Sequence, residues 1–472
     1  MRGGQCPFRK HFSLSALSSK AMSVKTIFIT SFNPFISRNI LETDTLKSLS
    51  AEKNLRIVIF VPEYKKDYFS EKFGRGNILI EGIKDFAVSK QDIFFRYITS
   101  SLINSRTLLF HQREKLARDR NYFHYLLSRF FAVFMSQSKF FKRVVRLLDF
   151  LTIKKEYFSD YLEKYCPKLL FSTDIFHNLD THFLAEAKNR HVPTVSMIRS
   201  WDNVTNKGIF RVKPDNLIVH NEIIKSQAIK HEDMKEQNIF VSGLPQFDHY
   251  FKGFQPSLRE VFFKKIGLDH SKKTILFAPH GKRFHNTDWH ILEIIKNKLD
   301  KNLQFIVRFP PNDTVEFNSF VPDHRFFIKK TGFPFPAREF KDNEVTFKDT
   351  LSLAEELYHS DLVINYGSTI SIDAAVFNKP VILIAFDGWE KLPYEKSVRR
   401  FLEYNHVNLL IQTGFFLVAK NEEELLNLVG RYLKKPIVNE AARNKLMNEQ
   451  VWKVDGLSGE RISGYIKSLI FD

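Results

Sequence analysis

The stretch VINYGSTISIDAAVFNKPVILIAFD, residues 363–387, sets the reading of the whole chain. An apolar run ends in Asn-Tyr-Gly-Ser-Thr, a helix-like segment follows, and Asn-Lys-Pro leads into a second apolar run. Strand, helix, strand is the unit of a parallel sheet, because a parallel neighbour is reached only through a crossover. At the carboxyl end of such a strand a helix start presents backbone N–H groups and the positive end of its dipole, and phosphate is the natural guest. Gly367 permits close backbone approach. Ser368 and Thr369 add two hydroxyl donors. Asp373 lies too far along to be an ordinary N-cap and suits a ribose or base contact. The plainer alternative is that Ser368 merely caps the helix. The stretch is neither a Walker loop nor a G-x-G-x-x-G turn.

The same alternation extends in both directions. Strand-like runs are expected at 26–30, 56–61, 77–80, 168–172, 194–198, 216–219 and 239–242, and again at 273–280, 304–308, 325–328, 362–365, 381–385 and 416–419. Two such series argue for an α/β protein with two Rossmann-like domains whose parallel sheets face one cleft. The expected organisation is an N-terminal domain over 23–250 with a basic helical insertion at about 90–160, a linker at 251–270, a C-terminal domain over 271–440, and helices at 441–472 that pack back.

Composition narrows the class. The chain has 472 residues, 43% of them apolar and 26% charged, enough for two or three packed cores. Its two cysteines exclude a disulfide framework, no Cys/His cluster suggests structural zinc, and a reducing cytoplasm fits. The apolar run FFAVFM, residues 130–135, is far below the ~20 residues of a membrane span. Residues 1–22 are basic, serine-rich and free of acids, and are expected to be a disordered or spurious extension ahead of a start at Met22, with a transit peptide as the alternative. The net charge is +18, and residues 96–155 carry thirteen Lys/Arg against three acids. Within them FFKRVVRLLDFL, residues 140–151, has helical apolar spacing with Lys142, Arg143 and Arg146 off the stripe. Such a helix either lies on an anionic bilayer or faces a core with its basic side solvated. No nucleic-acid motif accompanies the charge.

The opening stretch resembles the nucleotide-binding segment of GT-B glycosyltransferases of surface-polysaccharide synthesis, most of all the CDP-glycerol glycerophosphotransferases, and the UDP-N-acetylglucosamine 2-epimerases share the architecture. The resemblance implies that Ser368 and Thr369 hold the donor phosphates and that Asp373 is the acid of the following helix. TILFAPHGKR, residues 274–283, is similar to the first strand and loop of the second domain in these transferases. His280 stands where the family often has Thr. FIVRFPPND, residues 305–313, resembles a Lys/Arg-x-His-Pro loop, but Pro310 replaces the His and only Arg308 carries over. DGLSGERISGYI, residues 455–466, resembles the family's closing helix. The resemblance covers the second domain well, the first loosely, and residues 96–155 not at all.

In the first domain SMIRSWDNVTNKG, residues 196–208, is similar to a Trp-His-Gly-Thr-Pro-x-Lys loop. Asp202 takes the place of the His thought to be the base, and Lys207 matches the Lys. A carboxylate can deprotonate an acceptor hydroxyl. An Asx turn at Asp202 or Asn203 is the alternative. Asp174 and His177 are rival bases. Arg38, Trp201 and Lys207 are candidate acceptor contacts, and His280, Lys282, Arg283 and Arg308 could meet the charge of the leaving nucleotide. No metal and no cofactor are expected. The resemblance thus implies a transferase that moves a sugar or polyol phosphate from a nucleotide-activated donor to a glycan or lipid-linked acceptor, with inversion; the cysteine usage suits the cytoplasm, and the basic helices of residues 96–155 suit a peripheral place on the inner face of the plasma membrane. The alternatives are a sugar-nucleotide epimerase and a non-enzymatic binder of anionic lipid or nucleic acid.

Overall fold

Unbroken Val, Ile, Leu and Phe runs, rather than alternating ones, form strands that are buried on both faces. In the computed structural model, which describes residues 24–84, 88–335, 342–435 and 439–472, all thirteen expected strands are present. β1 (Lys25–Thr30), β2 (Leu55–Pro62), β3 (Ile78–Ile83), β4 (Leu169–Ser172), β5 (Thr194–Met197), β6 (Asn216–Val219) and β7 (Ile239–Val241) form one parallel sheet in the order 3-2-1-4-5-6-7. β8 (Thr274–Phe277), β9 (Gln304–Arg308), β10 (Phe326–Lys329), β11 (Leu362–Asn365), β12 (Val381–Ile384) and β13 (Leu417–Ala419) form a second in the order 10-9-8-11-12-13. Both are doubly wound, so each opens a crevice where the order reverses: between β1 and β4, and between β8 and β11. This is the GT-B fold.

The segment between β3 and β4 is the helical insertion. It comprises the helices Lys90–Ser100, Arg106–Asp119, Tyr122–Phe130, which runs into a π-helical turn Phe131–Met135, and Lys139–Thr152. The last of these is turned opposite to the core-facing alternative. Lys142, Arg146 and Asp149 point inward and are buried, while Phe140, Leu147, Leu148 and Leu151 are exposed. Arg146 is ion-paired with Glu232 at 2.9 Å, Lys142 donates to the His231 carbonyl, and Asp149 takes a two-pronged bond from Arg211. Lys142 and Arg146 are therefore not solvated, whereas Arg143 is exposed.

Residues 251–270, expected as a linker, contain the helix Arg259–Ile266, whose Phe262 and Phe263 enter the second domain's core. The expected extension 1–22 lies outside the described residues. The helix Ser458–Phe471 crosses back: Ile462, Ile466 and Ile470 pack with Ile27, Ile57 and Val195 of the first sheet, and Tyr465 stacks on Phe240 at 4.3 Å. Asp248 accepts from the amides of Ser458 and Gly459 and caps its start.

A second tie is ionic. Lys65 of the first domain meets Glu344 of the second at 2.6 Å, with side chains 2% and 1% exposed. Removing one partner leaves a dry charge, whereas removing both removes the desolvation cost as well. Lys65→Met is expected to lower stability by about 3–5 kcal/mol, and Lys65→Met/Glu344→Leu to recover most of it. Denaturation midpoints of the two variants against the parent check this.

Candidate active site

The loop after β11 is built around Asn365, the last residue of that strand. Its Oδ1 accepts from the amides of Gly367 (2.6 Å) and Ser368 (3.1 Å) and from the Ser371 hydroxyl (2.9 Å). The capping work expected of Ser368 is thus done by Asn365, and these two amides point inward rather than toward a ligand. Gly367 has φ +87°, and a Cβ there would meet Val407 Cγ1 at 2.7 Å. Ser368 and Thr369, half-buried and exposed, line the cleft, and the helix Ile370–Val376 begins just behind them. Asp373, on that helix, accepts from the Tyr250 hydroxyl at 2.7 Å. Burial raises its carboxyl to about 6 against the opposing pull of Tyr250, Arg38 and Arg308.

Across the cleft stands the loop after β5. Trp201 Nε1 donates to Thr369 Oγ1 at 3.3 Å, and its ring meets His406 edge-on at 4.8 Å, so this side chain bridges the two domains. Asp202 accepts from Ser200 Oγ at 2.5 Å and from Asn206 Nδ2 at 2.9 Å. Asn206 in turn pairs with His111 Nε2 at 2.8 Å. Burial raises the Asp202 carboxyl, but the neighbouring His406 and these hydrogen bonds outweigh it and hold it at about 2. A carboxylate that is so acidic, with both oxygens engaged, is a weak base on its own. The neighbouring His406 is the better proton acceptor: burial lowers its pKa below the usual value, so it is neutral at pH 7, and its buried Nδ1 has no partner. Sequence reading missed His406, since Tyr-Asn-His-Val matches no motif; only the fold brings it to Asp202.

These residues line one cavity of about 430 Å³, a size suited to a small ligand, where loops from the first domain meet those after β8, β9, β11 and β12. Arg38, Trp201, Asp202, His280, Arg308, Gly367, Ser368, Thr369 and Asp373 all contribute to its wall. Several do so in unexpected ways. Arg38, expected on the acceptor side, faces Asp373 and Arg308, and burial lowers its pKa. Arg308 is ion-paired with Glu356 at 2.6 Å and holds the β9 loop to the helix Phe347–His359. His280 stacks on Phe284 at 4.2 Å and burial drives its pKa well down, so it is a neutral aromatic wall rather than a cation. Lys282 and Arg283 turn away from the cavity: Lys282 is exposed and paired with Glu316, and the Arg283 amide binds Asp313. Lys207 is exposed and lies outside the lining, over the Phe176 ring. The rival bases are structural. Asp174 is buried against Arg199 at 2.8 Å, and burial lowers His177 to about 4 beneath a stacked Phe32.

The sequence profile of the CDP-Glycerol:Poly(glycerophosphate) glycerophosphotransferase family matches residues 202–468, more than half of the chain. The chain belongs to this family. As a member it is a transferase that uses a nucleotide-activated donor. No curated protein matches the chain in sequence. Among solved structures it is similar to S. aureus MnaA in a co-structure with UDP, at TM-score 0.53 and 12% identity over 95% of this chain and 98% of that one. It is likewise similar to a putative UDP-N-acetylglucosamine 2-epimerase from Listeria monocytogenes, at TM-score 0.54 and 12% identity over 94% and 96%. At such identities the likeness speaks for the fold alone.

The loop geometry of this transferase generates a direct test. Gly367→Ala forces a left-handed residue onto Val407, and Asn365→Ala orphans three donors, two of them buried. Each is expected to cost about 2–4 kcal/mol and to abolish nucleotide-induced thermal stabilisation. Calorimetric scans with and without nucleotide measure both effects.

Proposed function

We propose that this family member transfers a polyol phosphate, or a sugar, from a cytidine or other nucleotide-activated donor to a growing surface glycan at the cytoplasmic face of the plasma membrane, with inversion and with no cofactor or divalent ion beyond the donor itself. One observation carries the reading: the hydroxyls of Ser368 and Thr369, Arg38 near Asp373, and Asp202 with its neighbour His406 all line a single cavity. The donor phosphates would sit against Ser368, Thr369 and the start of the Ile370–Val376 helix, with Asp373 toward the ribose.

In the step proposed, the acceptor hydroxyl oxygen bonds to the phosphorus that carries the polyol. The bridging P–O bond breaks and a nucleoside monophosphate leaves. With a sugar donor the bond forms at the anomeric carbon and a nucleoside diphosphate leaves. The proton of the acceptor hydroxyl passes to the free nitrogen of His406. Asp202 stays ionised, and its charge stabilises the imidazolium that forms. Trp201 positions the acceptor.

Thermal unfolding with CMP, CDP, UDP, GDP and ADP tests the donor site. One nucleotide at about 100 times its dissociation constant should add about 2.7 kcal/mol, and Ser368→Ala/Thr369→Ala should remove the shift. Turnover should survive EDTA. Free nucleotide should appear only with acceptor; interconversion of a nucleotide sugar without acceptor would favour an epimerase instead.

The base has its own signature. His406→Gln and Asp202→Asn should each lower kcat by about 10²- to 10⁴-fold. Activity needs neutral His406, whose folded pKa is depressed, so the acid limb of the pH–rate profile should lie below pH 6.5. Asp202 raises the His406 pKa, so Asp202→Asn should move that limb to lower pH in its residual activity.

A further inference from the structure

The helices Lys90–Ser100, Arg106–Asp119 and Tyr122–Phe130 of the insertion enclose a second cavity, a groove of about 460 Å³, which is within the range of small-ligand sites. The three helices hold one another around it. Tyr97 Oη donates to the His124 carbonyl at 2.8 Å, the two rings meet edge-on at 5.4 Å, and Arg129 donates to Gln112 Oε1 at 3.3 Å. The groove abuts the candidate active site. His111 and Asn206 line both cavities and are bonded to each other at 2.8 Å, and Asn206 also donates to Asp202. A chain lying in the groove would thus end at the residues proposed to take the acceptor's proton.

The lining is mostly neutral and hydrogen-bonding. The hydroxyls of Ser100, Ser101 and Ser128 donate to backbone carbonyls one turn back, and their oxygens keep lone pairs with which to accept. The side-chain oxygens of Gln112 and Asn121 accept from Arg129 and from the His124 amide, and their NH2 groups remain to donate. Tyr125 adds an aromatic ring, against whose face the C–H side of a sugar can pack. Acceptors, donors and an aromatic face together fit a chain rich in hydroxyl groups.

Charge selects within that class. Among the described residues the lining has one lysine, Lys115, which rests over the Tyr97 ring at 5.6 Å, and one carboxylate, Asp119, which Arg118 holds. A chain of phosphodiesters brings a negative charge with every unit and is met by repeated Arg or Lys groups. A single lysine beside a carboxylate does not meet it, and an uncharged glycan needs no such groups. The three helices also stand outside residues 202–468, the part of the chain that matches the family. We propose that this groove holds the uncharged sugar units that lie behind the reacting hydroxyl of the acceptor, and so selects a neutral glycan chain. The assignment rests on the transferase reading above and narrows its acceptor to one class.

Saturation-transfer NMR titrations of the full chain, without donor, test it with two sets of probes. One set is glucose, galactose and N-acetylglucosamine oligosaccharides from mono- to tetrasaccharide, and the other is glycerol phosphate oligomers of the same lengths. At least one neutral series should bind more tightly as it lengthens, and the glycerol phosphate oligomers should not. Tyr125→Ala and Gln112→Ala should each weaken tetrasaccharide binding by about tenfold, with monosaccharide binding unchanged. Both should keep the wild-type nucleotide-induced thermal shift, which shows that they have folded. A gain with length for the glycerol phosphate oligomers, no gain for any neutral series, or a gain that both variants keep would overturn the assignment. The transferase reading fails on a different result, the absence of any nucleotide-induced shift in wild type.

Discussion

Parallel strand pairing governs what this molecule can do. When every strand of a sheet runs the same way, all the loops that leave the strands emerge on one edge, and the reversal of strand order opens that edge at one place. Two such sheets contribute one open edge each, and the cavity exists because the edges face each other. Their mutual placement is held by the buried Lys65–Glu344 pair and by the terminal helix that lies on the first sheet, among other contacts. Trp201 reaching Thr369 adds a contact across the cleft itself.

Within the cavity, burial assigns the roles. Three ionisable side chains that look alike in sequence behave differently. Asp202 is pinned by donors and stays charged, His280 is walled by aromatic rings and stays neutral, and Asp373 is lifted to about 6. His406 combines neutrality with an unengaged nitrogen. Spacing along the chain carries none of this, because the Asp202 and Asp373 environments are assembled from both domains and that of His280 from residues as far along the chain as Tyr366 and Phe401.

The fold was legible for the reason that parallel strands are legible: TILF, LVIN and VILI are wholly buried runs flanked by turn residues, and nothing in a folded context overrode them. The loop after β11 was legible as part of the cleft. Its internal wiring was not, because Asn365 reads as an ordinary strand end until its side chain is seen to hold three donors. Lys282 and Arg283 were misplaced because adjacency to His280 does not reveal that the chain turns outward after it. The Lys139–Thr152 helix shows a further limit. Periodicity separates two faces of a helix but does not say which one meets the protein, and here the partners that decide it, Glu232 and Arg211, lie far along the chain.

The terminal helix has a consequence for the order of assembly. Ile462, Ile466 and Ile470 cover a face of the sheet whose strands β1 to β7 are made first. During synthesis that sheet emerges early, and the helices Asp44–Ser50 and Lys66–Phe73 can cover part of the face at once, but the part that Ile462, Ile466 and Ile470 cover has no partner until their helix is made. The first domain is therefore completed only after the second has been synthesised, with a strip of apolar sheet open to chaperones or to other chains in the meantime.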